Sequence, residues 1–160
     1  MPNYCESDFT VTGPQAVLEE FKARFRGEGD KLLDANKVIP YPEKWASLDK
    51  ASHEWEASQE AKKKADPSYV VPWGEAPKDG YNSGGYDWCI ANWGTKWGFL
   101  DTQLVESPGE LLYSFITAWS PPLPLIREMG KLFPALRLEL LYYEGGIGYQ
   151  GNLVMENGET

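Results

Sequence analysis

The chain has 160 residues, of which 42% are hydrophobic, 14% aromatic and 24% charged. This length and composition are typical of one globular domain and exclude a collagen-like, fibrous or disordered chain. The 24 acidic side chains outnumber the 15 basic ones and leave a formal charge of −9, which repels phosphate backbones and argues against sequence-independent nucleic-acid binding.

The cysteine count and the N-terminal residues favour a reducing compartment. Two cysteines, Cys5 and Cys89, are too few for a disulfide scaffold. The first six residues contain neither the basic segment nor the apolar segment of a secretory signal. No apolar run approaches the roughly 20 residues that cross a bilayer. We therefore expect a cytoplasmic protein without membrane contacts.

The first 40 residues predict a strand, a helix and a second strand. Residues 8–12 alternate polar and apolar side chains, as a half-buried strand does. The apolar stripe from Val17 to Phe25 predicts a helix that ends at Gly27. Residues 33–39, closed by Pro40, predict a short second strand.

The middle of the chain reads as an insertion, at about residues 43–85, into a single domain that covers residues 1–160. Residues 43–65 are mostly good helix formers with few large apolar side chains, which predicts a largely solvated helix. Residues 66–85 contain three prolines and four glycines and predict a long loop. Asp87 is then expected to cap a helix that carries Cys89, Trp93 and Trp97 on one face.

The C-terminal half predicts a hairpin and a helix. Residues 102–105 and 111–118 are β-rich and flank the turn signal Ser107-Pro108-Gly109. Ser120 is expected to cap the next helix, which has Pro121 in its first turn. The stripe expected to be buried consists of Ile126, Met129, Leu132 and Phe133.

Two last strands complete the predicted fold. Residues 136–140 and 147–155 alternate on either side of the turn Glu144-Gly145-Gly146. The order β-α-β, insertion, β-β-α-β-β predicts an α+β fold, with two helices on one face of an antiparallel sheet in a split β-α-β arrangement.

Catalytic and metal-binding patterns are weak. His53 lies on the predicted solvated helix, and Ala57 stands where a zinc protease needs its second histidine. Cys5, Cys89 and His53 lack the spacing of a structural zinc site. We expect no catalytic residue, no metal and no cofactor. An enzyme that acts on nucleotides is kept as a minor alternative.

The aromatic residues are the most informative feature of the sequence. They suit either a structural core or a pocket, because Trp buries well but its indole N–H needs a partner. Polar residues lie between these rings, as a ligand pocket requires, and stacking on a base is worth about 1–3 kcal/mol. The candidate ligand-binding residues are Trp88, Asn92, Trp93, Thr95, Lys96, Trp97, Trp119 and Tyr149.

Three blocks together resemble a known family. They are Met1-Pro2-Asn3-Tyr4-Cys5-Glu6, the run from Trp88 to Trp97, and Thr117-Ala118-Trp119-Ser120-Pro121-Pro122. In this order they resemble the YubB-like proteins of phages and plasmids. The resemblance implies a ferredoxin-like domain and a setting on mobile elements in a host cell, and it carries over no catalytic residue.

Two functions follow as hypotheses. The first is a non-enzymatic accessory protein, active in counter-defence, that captures a small nucleotide, linear or cyclic, in the aromatic pocket, which a homodimer could close. The alternative is an acidic protein-binding inhibitor that imitates nucleic acid and blocks a host nuclease or regulator, in which the net charge drives binding.

Overall fold

The computed structural model describes residues 2–160, so Met1 of the N-terminal block quoted above lies outside the described residues. By internal contacts the chain divides into a sheet unit, Met1–Pro40 with Cys89–Thr160, and an insertion unit, Tyr41–Trp88. The prediction of one domain over the whole chain stays a prediction. The elements are β1 (Tyr4–Thr12), α1 (Gln15–Phe25), α2 (Ala35–Val38), α3 (Glu43–Ala65), a π-helical turn (Tyr81–Gly85), α4 (Tyr86–Trp93), β2 (Leu100–Ser107), β3 (Glu110–Ala118), α5 (Leu123–Leu132), β4 (Arg137–Glu144) and β5 (Tyr149–Met155).

The five strands form one antiparallel sheet in the order β2-β3-β1-β4-β5. This is the β-α-β-β-α-β arrangement, with β5 added beside β4 at one edge. The predicted α+β fold, with two helices on one face of an antiparallel sheet, is confirmed. The hairpins predicted around Pro108 and Gly145 are confirmed as well.

Alternation along the strands separates a covered face from an open face. On β1 the side chains of Cys5, Ser7, Phe9 and Val11 are buried, whereas those between them are exposed or half-buried. The buried set faces α1 and α5. The opposite side of the sheet, which no helix of the sheet unit covers, is called the open face below.

Aromatic rings fill the space between the helices and the covered face. Phe21 of α1 lies 4.9 Å from Phe25 and 6.2 Å from Phe9, measured between ring centroids. Gly130 of α5 allows the helix to approach β5 closely, since an added Cβ would lie 2.8 Å from the Met155 side chain. Complete burial of side chains of this size is the main source of stability in such a core.

Three local predictions are wrong. Residues 33–39 form no strand; they contain helix α2, because the Asp34 carboxylate accepts a hydrogen bond from the Asn36 N–H at 3.0 Å and caps it. Ser120 does not cap α5, which begins at Leu123, because the Ser120 hydroxyl donates to the carbonyl of Gly94 at 2.6 Å. Leu132 of the expected buried stripe is 43% exposed.

The predicted helix through Trp97 is shorter than expected. Helix α4 ends at Trp93, and Gly94 follows with a φ of +78°, a conformation that ends helices. Trp97 therefore lies beyond the helix and does not share a helical face with Cys89 and Trp93.

The insertion unit contains the long solvated helix that the sequence predicts. Only Ser52 and Gln59 of α3 are buried. Asp49 joins this helix to the segments around it: one carboxylate oxygen accepts from the Tyr41 hydroxyl and the other from the Tyr81 N–H, both at 2.9 Å. The predicted loop is partly wrong, because its last five residues form the π-helical turn. None of the helices within residues 2–160 has both the length and the apolar character needed to cross a membrane.

Candidate functional site

A groove of about 780 Å³ lies on the open face of the sheet. It crosses all five strands, so that residues distant in sequence lie side by side. The residues that line it are Glu6, Ser7, Asp8, Asp101, Gln103, Ser114, Phe115, Ile116, Leu141, Tyr142, Tyr143, Gln150, Gly151 and Asn152.

The strand register orders the side chains of the groove in two rows. Ile116, Glu6, Tyr143 and Gln150 are paired in succession across β3, β1, β4 and β5. Directly opposite residues of an antiparallel pair have Cβ atoms about 4.5–5.5 Å apart on the same face. Glu6 is therefore flanked by an isoleucine on one side and an exposed tyrosine ring on the other.

The second row lies two residues further along each strand. It consists of Gln103, Ser114, Asp8, Leu141 and Asn152. The Ser114 hydroxyl donates to Oδ1 of Asp8 at 2.9 Å, and a carboxylate has further capacity to accept hydrogen bonds. Each row thus combines one carboxylate with an amide and an apolar side chain.

A bulge in β2 brings a third carboxylate to the groove. Leu100 pairs with Ile116 and Gln103 with Ser114, so β2 uses one residue more than β3 over the same stretch. Asp101 lies in this bulge with a φ of +48°, which aspartate tolerates better than most residues. Bulges commonly redirect a side chain next to a site.

The groove is acidic. Among the described residues that line it, three are carboxylates and none is lysine, arginine or histidine. The ion pairs within residues 2–160 do not engage Glu6, Asp8 or Asp101. The negative potential of the groove is therefore not neutralised by the described part of the chain.

Two of the predicted ligand-binding residues are parts of the core. Trp93 is 6% exposed, and its indole N–H donates to the carbonyl of Ile39 at 2.8 Å. Thr95 is completely buried, and its hydroxyl donates to the carbonyl of Ala118 at 2.8 Å. The polar atoms of both side chains are used inside the sheet unit.

Thr95, Trp119 and Tyr149 do come together, around the end of β3. Trp119 has a φ of +70° and its side chain is 40% exposed. Its N–H donates to Asn3 at 2.8 Å, and its carbonyl accepts from the Tyr149 hydroxyl. With the Thr95 contact to Ala118, three hydrogen bonds hold this short left-handed segment.

Of the other predicted residues, Asn92 belongs to α4, Lys96 and Trp97 follow that helix, and Trp88 belongs to the insertion unit. Asn92 is half-buried on α4, and the Lys96 ammonium lies 5.3 Å from the ring centroid of Trp97. Trp88 is part of the insertion unit, where its ring meets that of Tyr41 edge to face at 5.7 Å. The ligand role of all eight predicted residues stays a prediction.

Several buried polar groups lie where the start of β1 is paired with the end of β4. Glu144 is completely buried, and its carboxylate accepts from the N–H groups of Gly146 and Ile147 at 2.7 and 2.8 Å. Burial raises the pKa of the Cys5 thiol, while a hydrogen bond with Tyr149 acts in the opposite direction. Burial also raises the pKa of Tyr149 to about 12, and Cys5 and Glu144 act in the same direction.

The neighbouring Ser7 hydroxyl is buried without a hydrogen-bond partner of normal geometry within residues 2–160, although it lies close enough to lower the pKa of Cys5. No group of three His, Cys, Asp or Glu residues in the same part of the chain is arranged to hold a metal ion. We interpret these buried groups as structural.

The groove residues are not among those that the sequence predicts for the site, because the excess of tryptophan is the stronger signal in the composition. A signal was present in β1, where Glu6 and Asp8 alternate with buried Ser7 and Phe9. A period of two places all outward residues of a strand on one face. Which strands would neighbour β1, and so complete the groove, is not contained in that local pattern.

The sheet order, the two helices on one face and the open face opposite define an α+β protein with a ferredoxin-like domain. The sequence agrees, because residues 92–160 match a family model described as the ferredoxin-like domain in Api92-like protein.

A crystal structure of the protein api92 from Yersinia pseudotuberculosis is similar to this chain over 99% of its length and 96% of the other, with a TM-score of 0.59 and 13% identity. At 13% identity this similarity shows a shared fold and nothing more. No curated protein matches the chain.

Proposed function

We propose that the chain is a non-enzymatic binding protein that engages a positively charged partner protein through the open face of its sheet. The observation that carries this proposal is the acidic groove, with three carboxylates and no basic side chain among its described lining residues. The net charge of −9 has the same sign and adds long-range attraction for a basic surface.

The groove offers both parts of an interface. Its carboxylates supply complementarity and fast association with a basic partner. Its apolar side chains supply area to be desolvated: Leu141 is 50% exposed and Tyr143 is 51% exposed. Protein interfaces combine apolar and aromatic side chains with polar and charged ones, and the groove supplies both kinds.

The biological role that we propose is inhibition. With the resemblance to phage and plasmid proteins, an acidic binding face fits an accessory protein of a mobile element that blocks a host nuclease or regulator in the cytoplasm of the host. The open face would cover the basic surface that such a protein otherwise presents to nucleic acid.

Fluorescence anisotropy with a labelled (Lys-Arg)4 peptide tests this function. We expect binding that weakens strongly between about 50 and 200 mM salt, because the charges involved are exposed. The double variant Glu6→Gln with Asp8→Asn should lose roughly fivefold in affinity, since each exposed pair contributes about 0.5 kcal/mol.

The matched control is Glu56→Gln with Glu60→Gln, which removes the same charge from the exposed surface of α3. Equal losses in the two double variants would show that net charge alone attracts the peptide and would overturn the proposed site. Absence of any binding at 50 mM salt would overturn the function.

Nucleotide capture in counter-defence is the second candidate function. It is favoured by the exposed indole of Trp119 and by the cation that Lys96 places beside the ring of Trp97. The acidic groove itself disfavours a phosphate ligand.

A thermal-shift screen with linear and cyclic nucleotides tests this second function. A bound nucleotide at 100 times its Kd should raise the midpoint by roughly 5–10 °C. Trp97→Ala and Trp119→Ala should remove the shift, and no shift across the panel would exclude the candidate.

A further inference from the structure

Resting on the proposed function, we infer that the open face selects arginine over lysine, and that the partner segment inserts an arginine between Glu6 and Tyr143. The two residues are paired directly across β1 and β4. Glu6 is exposed and Tyr143 is 51% exposed, so a carboxylate and an aromatic ring stand side by side in the groove.

This pair matches the guanidinium group in two ways at once. A guanidinium is planar and weakly hydrated, stacks on aromatic rings, and pairs with a carboxylate through two parallel hydrogen bonds. The ammonium of lysine is a strongly hydrated point charge that cannot form the two-pronged contact. A ring beside a carboxylate therefore distinguishes two side chains of the same charge.

The residues around the pair support an extended segment with more than one cation. Asp8 follows Glu6 at the next outward position of β1, about 7 Å along the strand. Its Oδ1 is held by the Ser114 hydroxyl at 2.9 Å. Leu141, opposite Asp8, offers apolar surface to the methylene stem of a second basic side chain.

The negative charge of the groove also disfavours other occupants. A second copy of this chain would bring carboxylates against carboxylates, which costs free energy across an interface. An anionic segment or a phosphate would meet the same repulsion, because no basic side chain is present among the described lining residues. A cationic segment is the occupant that the face fits.

Binding of hexa-arginine and hexa-lysine peptides, measured by fluorescence anisotropy on the full chain, tests the inference. We expect the wild-type protein to prefer hexa-arginine by about five- to tenfold. Tyr143→Leu should reduce that preference to about twofold while the affinity for hexa-lysine changes by less than twofold. Tyr143→Phe, which keeps the ring, should retain the preference.

Trp73→Leu is the control for loss of an exposed ring, because Trp73 is 99% exposed and lies in the insertion unit. It should leave both affinities unchanged. Equal binding of the two peptides by the wild type would overturn the inference and leave the proposed function standing. A preference that survives in Tyr143→Leu would show that the assigned ring is wrong, and failure of both peptides to bind would overturn the proposed function itself.

Discussion

The hydroxyl of Tyr149 donates a hydrogen bond to the carbonyl oxygen of Trp119, a residue whose φ is +70°. A side chain of β5 thus fixes the backbone just beyond the end of β3, in a conformation that costs a non-glycine residue about 1–2 kcal/mol. Strain of this kind persists only where the surrounding structure enforces it. Here the result is an indole that remains 40% exposed.

Replacement of Trp119 by glycine and by alanine should reveal this strain. Both variants lose the indole, but glycine adopts a positive φ without a steric penalty. We expect Trp119→Gly to be more stable than Trp119→Ala by about 1 kcal/mol in urea denaturation, the reverse of the usual order. If the alanine variant were the more stable, the left-handed conformation of residue 119 would be refuted.

The Tyr149→Phe variant should lose the hydrogen bond to Trp119 while keeping the ring. Since an intramolecular hydrogen bond contributes about 1 kcal/mol, we expect a decrease of that size in the free energy of unfolding. Tyr4→Phe is the control, because Tyr4 is 41% exposed on the open face. Equal effects of the two substitutions would show that the Tyr149 contact adds no stability.

Trp93 should contribute to stability, as its place in the core requires. Trp93→Phe removes an indole N–H that donates to the carbonyl of Ile39, and it leaves space in a buried site. We expect a loss of about 2–3 kcal/mol. Trp73→Phe, at a position 99% exposed, should change stability by less than about 0.5 kcal/mol. A Trp93 variant as stable as the Trp73 variant would contradict the assignment of Trp93 to the core.

Alkaline pH should destabilise the chain through Cys5 and Tyr149. The protonated forms of both are neutral, and both pKa values are raised in the folded state. The unfolded chain therefore loses these protons first, and the free energy of unfolding falls as the pH rises from about 9, the ordinary thiol pKa, towards 12. Tyr149 contributes less than about 3 kcal/mol to this fall.

Urea denaturation between pH 8 and 11 measures the effect. The double variant Cys5→Ala with Tyr149→Phe should show a flatter dependence on pH than the wild type. A remaining slope is expected from Tyr113, whose pKa is also raised by burial. An unchanged slope in the double variant would show that neither group is linked to folding.

Gly80→Ala should disturb the insertion unit. An added Cβ would lie 2.0 Å from the carbonyl oxygen of Trp45, a backbone atom that cannot move alone. We expect faster hydrogen exchange in α3, by roughly tenfold or more. The amides of β3 serve as the internal control: unchanged exchange there would indicate two independently stable units, whereas faster exchange in both would support the single domain predicted from the sequence.

The fold was predictable because its strongest signals are local. The apolar stripe that ends in Phe25 and the solvated composition of residues 43–65 correspond to α1 and α3. The strand predicted at residues 33–39 was wrong, because the Asp34 cap outweighs the β propensity of the residues around it. Tertiary contacts also explain why Ser120 does not cap α5, since its hydroxyl donates to the distant carbonyl of Gly94.

The residues of the candidate site were less predictable, because the pairing register of the strands brings them together from distant parts of the sequence. Nothing in the neighbourhood of Glu6 shows that Tyr143 will be its partner across the strands. That pairing depends on the sheet order, which places β4 beside β1. The tryptophans are a compositional excess, but whether each of them is buried depends on packing that composition does not describe.

The open face of the sheet also has a consequence for protein engineering. Residues that alternate with the buried positions of β1, β3 and β4 contribute nothing to the packing beneath α1 and α5. Such positions can be exchanged in combination with little effect on the scaffold, as surface substitutions usually can. A randomised library at these outward positions would therefore retain the fold while sampling new targets, and this architecture is a natural starting point for affinity reagents.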